Sequence, residues 1–137
     1  MVSALLFAAT IQSLPSVDSV LVLPRVGTGG RVPIQRDALI QQMVDGTFSI
    51  PADGSEFAVP DWSGGDNQRT VSWKKINPSN NGTFQDAAFR GGYAYATVDS
   101  DREQIVMLTA VGHSAAWVNG EPRGGDVYSF GNNSFPV

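Results

Sequence analysis

Apolar and polar positions alternate in short blocks along this chain, and most blocks have the period of a strand. Residues 19–24 (SVLVLP) form a β-branched run closed by proline, which predicts a buried strand. Residues 69–76 (RTVSWKKI) place Val71 and Trp73 on one face and Thr70, Ser72 and Lys74 on the other, a half-buried strand. Residues 93–98 (YAYATV) put Tyr93, Tyr95 and Thr97 opposite Ala94, Ala96 and Val98. Residues 104–110 (QIVMLTA) are apolar on both faces and predict a central strand covered on each side. Residues 47–50 and 56–59 are further short strand candidates, as are 115–118 and 127–130.

One stretch has helical spacing. In residues 37–44 (DALIQQMV), Leu39, Ile40, Met43 and Val44 fall on one face. Asp37 can accept from the free amides of the first turn, and Asp45-Gly46 ends the run. Two turns do not stand alone in water, so this helix is expected to lie as a lid on a sheet.

Turn signals separate these blocks. NPSNNG at 77–82 is a strong one. Asn119-Gly120 is the favoured two-residue hairpin turn, because both residues tolerate positive φ. The three glycines of RVGTGGR (25–31) lack dinucleotide-loop spacing and read as a connection. About eight short strands at spacings of roughly 8–12 residues predict a β-sandwich or jelly roll. Helices do not alternate with strands, which argues against a parallel doubly wound sheet.

Composition agrees with an all-β reading. Of 137 residues, 15 are glycine and only 16% are charged, which suits short strands joined by many turns. There is no cysteine and one histidine, so disulfides, thiolate chemistry and multi-histidine metal sites are excluded. The net charge of −4 argues against nucleic acid and anionic membrane surfaces as partners. No stretch reaches the ~20 apolar residues of a membrane span. Residues 1–14 read either as the remnant of an export signal, through the apolar run ALLFAA, or as a first strand; residues 15–137 read as a single β-sandwich domain.

From Arg90 onward the order of residues resembles a known class. The small-and-aromatic strand RGGYAYA (90–96), the apolar strand 106–110 and the hairpin AWVNGEP (116–122) are similar to those of galactose-binding-domain-like jelly rolls. Such domains accompany secreted bacterial glycoside hydrolases and peptidases. The resemblance implies a secreted or periplasmic, non-catalytic accessory domain, whose partners would be a hydrolase domain in the same longer chain or a glycan. It implies no cofactor, although similar domains often hold a structural calcium ion, for which Asp99 and Asp101 would be donors. A further strand usually follows in that class, and Phe135-Pro136-Val137 falls where it would begin. A missing last strand would leave an open edge that invites pairing with another chain.

The candidate ligand-binding residues are aromatic and polar. Trp62 lies in the polar loop PDWSGGDN, where an exposed stacking platform is easier to build than a core position. Tyr93, Tyr95 and Tyr128 would line a face, with Asn119 and Arg123 nearby in the hairpin. Trp73 and Trp117 alternate with apolar neighbours and read as core. No catalytic or metal-binding residue is assigned. Paired carboxylates such as Asp61 with Asp66 lie in turns, where aspartates bond nearby amides. GHSAA at 112–116 nearly matches a nucleophile elbow centred on Ser114, but it leads into a strand and no histidine follows it. The sequence thus leaves three readings: an accessory module, a free-standing carbohydrate-binding module using Trp62, and a serine-hydrolase fragment using Ser114.

Overall fold

A computed structural model describes residues 17–28, 33–63, 65, 67–100, 102–128, 130–131 and 134–136. The proposed export signal or first strand at 1–14 lies outside the described residues. The chain forms strands β1 (Val20–Leu23), β2 (Glu56–Val59), β3 (Arg69–Ser72), β4 (Lys74–Ile76), β5 (Tyr93–Tyr95), β6 (Met107–Thr109), β7 (Ala116–Val118), β8 (Glu121–Arg123) and β9 (Ser134–Pro136). One short helix, α1 (Ala38–Val44), and a 3-10 turn, Ala87–Phe89, complete the described elements. Every strand pair is antiparallel.

The centre of the fold is β1, which lies between β4 and β5 in a three-stranded sheet. Leu21 is opposite Lys75 on β4 and Tyr95 on β5. Both faces of β1 are covered. Val20 and Val22 join Ile76 on one side, against Phe84 and Ala88. Leu23 joins Val26, Ala38, Leu39, Phe57, Val59 and Trp73 on the other. Full burial of side chains such as Leu23 contributes about 1.5–3 kcal/mol each. The strand covered on both sides is therefore SVLVLP and not residues 104–110. Within 104–110 only β6 forms, it pairs with β9, and Ile105 and Met107 are exposed.

Residues 69–76 do not make one strand. The chain changes partner at Trp73, pairing with β2 before it and β1 after it. The Trp73 amide donates to the Ser55 carbonyl at 2.9 Å, and its carbonyl accepts from Gly54 at 2.8 Å. This switch brings Phe57 and Val59 of the β2–β3 ribbon into the same core as Leu23.

Helix α1 starts where the sequence places it. Asp37 accepts from the Leu39 and Ile40 amides at 3.0 and 3.1 Å. Its buried face differs from the expected one. Ala38 and Leu39 enter the core, whereas Ile40 and Val44 face solvent, so the helix meets the sheet through its first turn.

The second half is built differently. Strands β6 and β9 form one ribbon, tied by a 2.8 Å contact between the Thr109 and Ser134 hydroxyls, and β7 and β8 form another. Asn119 (φ 52°) and Gly120 (φ 84°) make the expected hairpin turn between β7 and β8. Where a strand is expected at 127–130, Val127 and Tyr128 form a turn instead, and a strand lies at Ser134–Pro136. No described residue after Tyr95 belongs to either apolar cluster.

Candidate functional site

The structure gathers three of the six candidate ligand residues onto one core. Trp62, Tyr93 and Tyr95 all pack, half-buried, against the cluster around Leu23 and Phe57. Tyr95 lies 6.1 Å from Phe48 and 6.4 Å, edge-on, from Trp73 between ring centroids. Trp62 is thus not a free-standing platform. Its ring leans on the core, and its carbonyl accepts from the Arg36 guanidinium at 3.4 Å. Tyr93 lies beside the Asp37 carboxylate. Burial, and then the Asp37 carboxylate, hold that phenol well above its ordinary pKa, so it stays protonated.

Asn119 and Arg123 sit on the separate β7–β8 hairpin. Asn119 is exposed at the turn. Arg123 pairs with Glu121 at 2.9 Å and donates to the Pro122 carbonyl at 3.0 Å. An exposed pair of this kind contributes at most about 1 kcal/mol and occupies the guanidinium.

A cleft of about 170 Å³ lies beside the core, lined among others by Gln42, Phe48, Ile50, Ser55, Glu56 and Trp73. Pockets for drug-sized molecules measure roughly 300–1,000 Å³. A shallower hollow lies at Pro60, Asp61, Gly65 and Gln68. Asp61 is engaged locally: the Ser63 hydroxyl and amide donate to it at 2.6 and 2.8 Å and hold its carboxyl below the usual range. Its proposed partner Asp66, and Asp101, lie outside the described residues. Among the described residues no three acidic or histidine side chains cluster as metal ligands.

Ser114 is exposed and leads into β7, a strand where a nucleophile elbow needs a helix. The same segment is instead the backing of another feature. The Asp126 amide donates to the His113 carbonyl at 2.8 Å, and Gly125 lies so close to Ser114 that a Cβ there would meet the Ser114 carbonyl oxygen at 2.2 Å. Asp126 is itself buried, and its two carboxylate oxygens accept from the Phe130 and Gly131 amides at 2.8 and 2.9 Å. This closed loop carries Tyr128 and Phe130 outward, with ring centroids 5.7 Å apart and a tilt of 33°. The sequence names Tyr128 but assigns Phe130 to a strand. The missed signal is the run of Gly, Ser and Asn around the two rings.

Searches with protein-family models, against curated proteins and against solved structures find no match to this chain. Among the described residues, no helix is long and apolar enough to cross a membrane.

Proposed function

We propose that this protein is a non-catalytic accessory module of an exported hydrolase, a galactose-binding-like jelly roll that works by contact with a partner domain. One observation carries the reading. In the second half, apolar side chains that a self-sufficient domain would bury stand in solvent, with Ile105 at 83%, Met107 at 60% and Val111 at 84% exposure. Exposed apolar side chains close together along one segment fit an interaction surface. The first half supports the sandwich part of the reading, since side chains of the β1 sheet and the β2–β3 ribbon share one core.

Titration calorimetry against the hydrolase domain encoded with it tests the role. Binding is expected to show a negative heat-capacity change, the mark of apolar burial. It should be lost in the triple variant Ile105→Ser, Met107→Ser, Val111→Ser while the unfolding temperature holds. Absence of binding heat across the temperature range, or binding indifferent to the three substitutions, overturns it.

A further inference from the structure

The cleft beside the core combines aromatic residues with a single charge. Phe48, Phe57 and Trp73 line it, and among the described residues that line it Glu56 alone is charged. Hydrogen bonds and ring contacts fix its shape. The Phe48 amide donates to the Gln42 carbonyl of α1 at 3.1 Å, and the Trp73 amide donates to the Ser55 carbonyl at 2.9 Å. The Phe48 and Trp73 rings both pack on Tyr95, at 6.1 and 6.4 Å between centroids. The aromatic lining is therefore in place before any ligand arrives, which lowers the entropic cost of binding.

The polar groups along the cleft select the charge of its ligand. The Ser55 hydroxyl is committed, since it donates to the Ala52 carbonyl at 2.7 Å and accepts from the Ala52 amide at 3.1 Å. Glu56 is exposed. Among the described residues the ion pairs are Lys74 with Asp86 and Arg123 with Glu121, so no cationic side chain is paired with the Glu56 carboxylate. An anion entering the cleft meets that carboxylate and the negative faces of aromatic rings, and both repel it. A cation is attracted by both. Size narrows the ligand further. The cleft measures about 170 Å³, and a cavity of about 150 Å³ holds one benzene-sized molecule. A bare metal ion needs several oxygen donors, whereas an alkylammonium ion carries its charge inside an apolar shell that rings can touch. We infer that this cleft binds a small organic cation of the alkylammonium class, with Glu56 as the counter-charge and Phe48 and Trp73 as aromatic contacts. This activity is separate from docking and uses none of Ile105, Met107 and Val111.

Probes of one branched shape and different charge test this. Tetramethylammonium, neopentyl alcohol and pivalate are each titrated into the full chain and followed by heteronuclear NMR at the Glu56, Phe57 and Ala58 amides and the Trp73 indole N–H. Tetramethylammonium should give saturable shifts there. Neopentyl alcohol should bind at least about fivefold more weakly, and pivalate should not bind. Glu56→Gln, at an exposed strand position, should weaken the cation about fivefold and leave the alcohol unchanged. Phe48→Leu keeps apolar bulk but loses the ring face, and should weaken the cation about two- to fivefold. Urea unfolding midpoints close to wild type confirm that both variants fold. Shifts that do not saturate, equal affinity for tetramethylammonium and neopentyl alcohol, or cation affinity indifferent to both substitutions overturns the inference. The Ile105, Met107, Val111 triple variant should keep cation binding, which separates failure of this site from failure of the docking role.

Discussion

Tyr93 of β5 lies beside Asp37, the residue that caps α1, so the sheet and the start of the helix meet there. The carboxylate accepts from two helix amides, and its charge faces the half-buried Tyr93 phenol. Asp37→Ala removes the cap and should cost roughly 0.5–2 kcal/mol in urea unfolding. Asp37→Asn, which still caps, should cost less than half of that. Tyr93→Phe should change the cost of Asp37→Ala, because the phenol beside the carboxylate is gone. Equal losses for Asp37→Ala in the wild-type and Tyr93→Phe backgrounds would show that the two residues are not coupled.

The same hydroxyl sets an alkaline limit. Its folded pKa is raised, so the folded state holds the proton more tightly than the unfolded chain does. The stabilisation is complete below the unfolded value of about 10 and is lost as pH rises from there toward the folded value. Thermal unfolding between about pH 9 and 12 should show a downward slope that is shallower in Tyr93→Phe. An identical slope in both proteins would mean that other groups set the limit.

Gly92 is the point where β5 leaves the 3-10 turn and passes β1. A Cβ there would lie 2.1 Å from the Ala88 carbonyl oxygen and 2.3 Å from that of Leu23. Both are backbone atoms of packed elements and neither can move alone. Gly92→Ala should destabilise by ~1–3 kcal/mol or more, the range for overpacking. Gly124→Ala meets nothing within 4 Å and should change stability by less than about 0.5 kcal/mol. Chemical denaturation of the two variants decides the point, and comparable midpoints would contradict the packing around Gly92.

Local signals in the sequence identify local features well. SVLVLP, the Asp37 cap and the Asn119-Gly120 turn each depend on a few adjacent residues, and each forms as expected. Pairing is another matter. Residues 104–110 have the two-sided apolar pattern of a central strand, but a strand is central only if two partners reach it, and β1 takes that position. Trp73 sits in an unbroken alternation, so periodicity does not reveal that the strand changes partner there. The candidate site divides along the same line. Loop composition around Trp62 describes the backbone and does not fix the direction of the indole, which turns to the core. The Tyr128 and Phe130 rings stay outside because Asp126, a buried acid in a polar segment, closes the loop beneath them.

The two halves should differ in local stability. The amides of β1 lie in a sheet covered on both faces, whereas β6 and β9 form an isolated two-stranded ribbon, which is marginal in water. Hydrogen exchange should show Val22 and Leu23 opening only with global unfolding, and Leu108 opening at far lower cost. Phe57→Ala should remove ~3–5 kcal/mol, and Met107→Ala less than about 0.5 kcal/mol. Partner binding should then slow exchange in β6 while leaving β1 unchanged. Equal protection of Leu108 and Leu23 in the isolated chain would show that the second half has a core of its own.

Acid should act on two turns. The Ala88 amide and then Lys74 hold the Asp86 carboxyl below its ordinary pKa, and Lys74 pairs with it at 2.9 Å, linking β4 to the 3-10 turn. Asp61 is held low by Ser63. A lowered folded pKa means that the unfolded chain binds the proton more readily. The contribution is complete above the unfolded value near 4 and is lost as pH falls through the lower folded value. Melting temperature followed from about pH 6 down to 2 should fall, and the double variant Asp61→Asn, Asp86→Asn should fall less steeply. Salt should weaken the Lys74 part of the effect and leave the amide bonds to Asp86 and Asp61 largely untouched, because screening acts on exposed charge pairs. If the double variant follows the wild-type acid profile, the carboxylates that limit stability lie elsewhere in the chain.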